Sequence, residues 1–303
     1  MKGKRKNVES TGIRYYRNTE NTIVDVVVWI LLIIIFILTA YPFYYCIIAS
    51  FNDGYDFMRG GVFFYPRKPT LINYMELLAD PKWINSFKIS FFRTIVGTLL
   101  CVFVTSLVSY GLSRKDLMFG KVYKFLIVFS MYVSGGVIPF YILLKNLHLL
   151  NTIWVYIFPG MLNPFFVIVG INFFSSIPTS LIESAKLDGA TEMGILFRIV
   201  LPLSKAFIAT LSLFTAVNHW NSWLDSTYYV NEEALRTIAY RMIVAINQSA
   251  SSAQITGGTI VTKSTALTSQ ASAMVVSMLP IMMVYPFLQK YFVQGLMIGA
   301  VKE

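Results

Sequence analysis

Six stretches of this chain are apolar over about the twenty residues that a helix needs to cross a hydrocarbon core. They cover roughly residues 23–48, 87–112, 125–144, 153–174, 207–223 and 273–291. The fifth is the least clean, because Asn218, His219 and Asn221 crowd its end. A lipid-exposed segment must satisfy its own backbone, so each stretch is expected to be a helix. The ten-residue alternation of barrel strands is not seen. The expected fold is all-α and integral to a membrane, with six transmembrane helices.

Composition agrees. Of 303 residues, 13% are charged and 56% hydrophobic, against about 25% charged in soluble domains. A water-soluble globule is excluded, and so is disorder, which needs few apolar residues and many charges. The net charge of +10 reads as the basic bias of membrane loops rather than as a nucleic-acid footprint. Cys46 and Cys101 lie inside apolar runs and read as small buried hydrophobes, with no metal-site spacing. The basic N-terminus precedes an apolar run too long for a signal peptide, so an uncleaved first span is expected.

Six spans place both termini on one side. Segments 1–22, 113–124, 175–206 and the tail from Lys290 carry 15 Lys and Arg, against 8 in the opposite loops 51–86, 145–152 and 224–272. Positive charge favours the cytoplasm, so both termini are expected there. The chain then divides into a cytoplasmic N-terminus (1–22), a first helix with its external loop (23–84), a five-helix core (85–291) and a cytoplasmic tail (292–303). Within the core lie the cytoplasmic loop 177–202 and the external loop 224–272. From Ser249 to Ser272 the external loop is rich in Ser, Thr, Ala and Gly, as a connector or a partner contact would be. Arg93 lies about two turns inside the second span. A charge at full depth costs roughly 2.5–3.5 kcal/mol, so it either contacts a pore or substrate or, the preferred reading, snorkels to the outer interface.

The loop 177–202 is the most patterned segment. Pro178 stops one helix, Ser180 and Glu183 have capping-box spacing for the next, and Gly189 after Asp188 marks its end. A second helix runs towards Pro202. The turn is built from Ser184, Ala185, Gly189 and Ala190, small enough to enter another protein's groove at close range.

These residues resemble the signature of permease subunits of ATP-binding-cassette importers, Glu-Ala-Ala-x-x-x-Gly followed by Ile-x-Leu-Pro. The chain has Glu183, Ser184 in place of the first Ala, Ala185, Gly189, Ile199, Leu201 and Pro202. Asp188-Gly189-Ala190 is similar to the sugar permeases of that family. Tyr110-Gly111-Leu112-Ser113-Arg114 and the tail from Gln289 resemble the second permease of the maltose-type branch. Gly135-Gly136-Val137-Ile138-Pro139 and His219-Trp220-Asn221-Ser222-Trp223 resemble a sub-branch that takes up polysaccharide breakdown products such as aldouronates.

The resemblance implies the type I ABC importer permease fold with cytoplasmic coupling helices, in a bacterial plasma membrane. It implies a homologous second permease, two copies of a cytoplasmic ATPase that bind ATP and Mg, and an extracytoplasmic solute-binding protein. No cofactor, metal site or catalytic residue is expected in this chain. Glu183, Ser184, Ala185, Asp188, Gly189 and Ala190 would form the docking turn, and Leu201 and Pro202 would lead back into the membrane. Gln294, Gly295, Leu296, Gly299 and Lys302 would reach the ATPases. Tyr132, Asn163, Trp220, Asn221 and Trp223 are candidates for the substrate path, because aromatic faces stack on sugar rings and amides bond hydroxyls. For the tryptophans an interfacial aromatic belt is an equal alternative. The cargo is expected to be an oligosaccharide, with a glycerol phosphodiester as the alternative.

A near-match to a phosphate loop at residues 257–264 has Thr262 at the second glycine position and faces outside, so it is not read as a nucleotide site. An ion-coupled transporter would need ionisable residues or broken helices within the spans. A membrane enzyme would need paired carboxylates or a nucleophile with its base. Apart from Arg93, neither pattern is visible.

Overall fold

The computed structural model describes residues 19–252 and 264–300, with side chains described for residues 24–247, 264–284 and 286. The expected basic N-terminus 1–18, the phosphate-loop-like segment up to Lys263 and Lys302 lie outside the described residues. So do the side chains of Gln294, Gly295, Leu296 and Gly299.

The described residues are helical, with no strand among the named elements. Helix α1 (Thr19–Ser50) is the first span. Its apolar side chains from Val24 to Leu38 are all at least half exposed or nearly so, as a face toward lipid or another chain requires. Short helices α2 (Gly54–Met58) and α3 (Ile72–Ala79) build the loop between the first and second spans. That loop is tied by a polar knot. Buried Asn52 and Arg67 both donate to the Asp56 carboxylate, at 3.1 and 3.0 Å, and Asn73 donates to the Ser50 and Asn52 carbonyls at 2.9 Å. The Asn52 amide, followed by the Arg67 guanidinium, holds the Asp56 carboxyl below its ordinary range.

Helix α4 (Pro81–Ser113) is the second span and the axle of the fold. Asp80 caps it by accepting from the Lys82 N–H at 2.9 Å, and Pro81 takes the first helical position, where its missing N–H costs nothing. The third stretch is not one straight helix. Helices α5 (Gly120–Tyr132) and α6 (Val137–Asn146) meet at 116°. Gly135 and Gly136 separate them, and Gly136 takes a φ of +81°, which side chains with a Cβ rarely adopt. The fourth stretch opens as two short 3-10 turns, Ile153–Tyr156 and Phe158–Gly160, before α7 (Pro164–Ser175), bent by 44°.

Helices α8 (Thr179–Leu187) and α9 (Glu192–Ile195) form the patterned loop. A π-helical turn, Leu196–Val200, and α10 (Leu201–Leu203) lead to α11 (Lys205–Asn221), bent from them by 85°. Residues 224–252, at the end of α4 opposite the patterned loop, are helical in two stretches. These are α12 (Leu224–Tyr229) and α13 (Ile238–Ser252), and the last helix, α14 (Ala266–Ala300), begins seven residues before the apolar stretch. Three helices are thus long and apolar enough to cross a membrane, and six spans result if each bent pair counts as one.

The main core lies where α4, α7, α8 and α11 meet, around Cys101, Tyr110, Phe166, Phe174, Ile182, Leu196, Phe207 and Leu211. Small residues let these helices approach. A Cβ on Gly170 would lie 2.6 Å from Ser109 Oγ and 2.8 Å from the Phe207 ring. Ser109 Oγ crosses the same contact to the Val167 carbonyl at 3.2 Å. Gly170→Ala is therefore expected to cost about 1–3 kcal/mol through overpacking, read as a lower unfolding temperature in detergent. An unchanged unfolding temperature would show that the α4–α7 contact has slack.

Candidate functional site

The candidate site is the elbow formed by α8, α9 and the turn between them. Its turn is a Schellman closure. The Ala190 N–H donates to the Ala185 carbonyl at 2.9 Å and the Gly189 N–H to the Lys186 carbonyl at 3.0 Å. Gly189 has a φ of +79°, as its position after Asp188 predicts, and a Cβ there would meet no atom within 4 Å. The constraint at Gly189 is thus backbone conformation and not space. Thr191 caps α9 by accepting from the Gly194 N–H at 3.2 Å. The expected capping box is absent. Helix α8 starts at Thr179 after Pro178, with no side-chain cap. Proline already fixes the entry angle, so Ser180 and Glu183 stay exposed.

The exposed and anchored faces of the elbow differ. Glu183, Ser184, Asp188, Gly189 and Ala190 are exposed, and Ala185 is half-buried. Leu187, which the sequence pattern did not single out, is 90% exposed at the apex. On the other face, Ile182, Ile195, Leu196 and Val200 are buried in the main core, with Leu201 packed beside it. Pro202 is exposed in α10. Polar contacts complete the anchor. The Tyr110 hydroxyl on α4 donates to Glu192 at 2.5 Å, Lys186 pairs with Glu192 at 2.6 Å, and Arg114 approaches it at 3.8 Å. Tyr110 and Arg114 belong to the motif that closes the second span, so one carboxylate joins α4, α8 and α9. Glu192 was also missed by the sequence reading. Its only local signal is the acidic residue just after a Thr cap.

The candidates for a substrate path do not converge. Tyr132 is 83% exposed at the end of α5. Asn163 caps α7, accepting from the Phe166 N–H at 3.2 Å. Trp220 is buried, donates to the Ser277 carbonyl at 2.9 Å and packs edge-on against Phe87 at 5.5 Å. It pins α11 to α14 and α4. Asn221 is exposed and Trp223 half-buried beyond the helix end. His219 sits between Gly97 and Gly160, where a Cβ would come within 2.5 and 3.1 Å of its ring, as a structural histidine does.

Arg93 does not snorkel. Its side chain is 2% exposed and pairs with Asp225 of α12, Nη2 to Oδ2 at 2.5 Å and Nη1 to Oδ1 at 3.2 Å. Nη1 also donates to the Ser222 carbonyl at 3.2 Å, and the guanidinium lies 4.6 Å from the centre of the Tyr156 ring. Nearby, Ser90 Oγ accepts from the Ile238 N–H at 2.9 Å, and Arg241 donates to Ser86 Oγ. The second span is therefore clasped to α12 and α13 at one end and to the elbow at the other.

A bundle of apolar, partly broken helices with a rigid, exposed elbow at one end is the arrangement of a transport permease. Residues 108–298 match the family described as the binding-protein-dependent transport system inner membrane component, and the chain belongs to that family. It is 36% identical to the polygalacturonan/rhamnogalacturonan transport system permease protein YtcP of Bacillus subtilis (strain 168), over 93% of this chain and 99% of that one. It is also 36% identical to protein LplC of the same organism, over 88% and 90% of the two chains. Among solved structures it is similar to a bacterial ABC transporter involved in the import of the acidic polysaccharide alginate, with a TM-score of 0.82 and 28% identity over 91% of this chain and 99% of that one.

Proposed function

We propose that this chain is one membrane half of an ATP-driven importer of oligosaccharides released from acidic polysaccharides. A homologous second permease completes the pore, two ATPase subunits dock from the cytoplasm, and a solute-binding protein delivers cargo outside. The observation that carries the reading is the elbow, exposed at Leu187 and Gly189 and fixed to the core through Ile182 and Glu192. A rigid lever with a small-residue tip transmits a push without deforming, because packed interiors have low compressibility. ATP and Mg would be held by the ATPases. Glu183, Ser184, Ala185, Asp188, Gly189 and Ala190 would meet the ATPase groove, and Leu201 and Pro202 would pass the motion to α11. The tail residues Gln294, Gly295, Leu296, Gly299 and Lys302 are assigned to the ATPase side on resemblance alone. The charge bias favours the cytoplasmic membrane with both termini inside.

The reading of cargo draws on the pectin-type and alginate substrates in the names of its relatives. Its test is purification of the tagged chain from native membranes in mild detergent, with mass spectrometry of what accompanies it. A second permease, an ATPase and a binding protein are expected, with the binding protein retaining galacturonate oligosaccharides. A chain that travels alone, and that cross-links to no ATPase through residues 183–189, would overturn the proposal.

A further inference from the structure

The end of the molecule opposite the elbow holds a cavity of about 650 Å³, within the range of small-ligand sites. Lys82 and Tyr110 lie on the same helix, 28 residues apart. At 1.5 Å per residue the cavity is about 42 Å from the elbow contact. Its walls come from five elements: Glu76 on α3, Lys82 and Trp83 at the start of α4, Glu233 on the 3-10 turn Glu233–Leu235, Tyr240 and Arg241 on α13, and Ser269 and Gln270 on α14.

Some of its polar groups are already engaged. Asp80 caps α4, and Arg241 pairs with Glu233 at 2.9 Å. Tyr240 carries the Arg236 guanidinium on one face at 4.0 Å. Others are free among the described residues: the Glu76 carboxylate, the Lys82 ammonium, the Trp83 indole N–H and the Gln270 amide have no side-chain partner. This is a mixed set, with one pure acceptor, two pure donors and one group that is both. A hydroxyl both donates and accepts, so a ring bearing several hydroxyls satisfies such a lining, and the indole face covers the apolar face of the ring. One free ammonium against one free carboxylate leaves room for a single acidic group near Lys82. A polyanion is disfavoured by Glu76, Asp80 and Glu233 together, and an acyl chain would strand the polar lining.

We infer that this cavity is a saccharide subsite, which holds one or two rings of an oligosaccharide carrying a single carboxylate at the external face of the permease, before the sugar enters the spans. The inference rests on the importer reading for its cargo class. A side chain of a docking protein is the competing occupant.

The test uses the assembled transporter in nanodiscs without binding protein, titrated with an aldotriouronate, which carries one carboxylate, and with neutral raffinose, and followed by saturation-transfer NMR. Saturable binding of both is expected. Trp83→Ala should weaken both by about tenfold, as the loss of one aromatic face implies, and Trp83→Phe should restore most of it. Lys82→Ala should weaken the aldotriouronate and leave raffinose unchanged. Gln270→Ala, a milder truncation, should weaken both if Trp83→Ala fails to assemble. No saturable binding, or binding indifferent to all of these changes, overturns the subsite, including the case in which the variants lose only attachment of the binding protein. ATP-driven uptake by the same wild-type transporter with its binding protein is measured in parallel. Intact uptake without cavity binding removes the subsite alone, whereas absence of any saccharide uptake removes the importer reading.

Discussion

Gly189→Asp is expected to abolish ATP-driven uptake while leaving insertion and assembly of the membrane subunits nearly intact. The two halves of this expectation have separate physical causes. A Cβ at position 189 meets no atom within 4 Å, so the substitution creates no clash. Its local cost is that of a side chain at a φ of +79°, about 1–2 kcal/mol and least for Asn and Asp. The proposed docking face then carries a new carboxylate. An unpaired charge buried at an interface costs several kcal/mol, and each 1.4 kcal/mol is about tenfold in the docking equilibrium. Uptake should fall by roughly a hundredfold or more on that arithmetic. Gly189→Ala carries at least as much backbone strain without the charge and should keep uptake within a few-fold. Uptake in reconstituted vesicles, beside size-exclusion profiles of the membrane subunits, reads both halves. Normal uptake by Gly189→Asp would sink the docking assignment of the elbow.

The second large effect concerns stability. Arg93→Ala is expected to destabilise the subunit by about 3–5 kcal/mol, the cost of stranding one member of a buried ion pair. Asp225, left at the end of α12, loses its bidentate partner, and the Tyr156 ring loses the cation on its face. Asp225→Ala should be comparably harmful, because the guanidinium is the more buried of the two. Replacing both with Leu should cost much less than the sum of the single changes, since a well-packed apolar pair often equals a buried ion pair. Thermal unfolding of the four proteins in nanodiscs reads these changes. If Arg93→Ala instead left the unfolding temperature alone and raised only the KM for uptake, Arg93 would be a substrate contact rather than a clasp.

The same two sites mark how far the sequence can be read. The elbow was legible because its determinants are local. Pro178 cannot extend a helix and Gly189 tolerates a left-handed φ, and both effects act within a few bonds. The residues that build the turn of the elbow were placed for the same reason, although its apex Leu187 and its anchor Glu192 were not. An exposed leucine in an apolar chain carries no pattern, and the contact that ties Glu192 to α4 comes from Tyr110, 82 residues away. The substrate-path candidates fared differently. Trp220 and Asn163 have the chemistry of sugar contacts, but tertiary packing commits one to the Ser277 carbonyl and the other to a helix cap. A residue's chemistry says what it can bond, and its neighbours decide what it does bond.

The sequence alone determined that the chain crosses a membrane, how many apolar segments it has to bury in lipid, and where its small-residue elbow lies. These follow from transfer free energy and backbone sterics, which act on each segment separately. The tertiary structure alone decided that the third segment breaks at Gly135 and Gly136, that residues 224–252 fold into α12 and α13, and that Arg93 is paired inside. Each of these depends on a surface supplied by a distant part of the chain. Asp225 is 132 residues from Arg93, and no periodicity or spacing in the sequence records which of the chain's 15 acidic residues would arrive there.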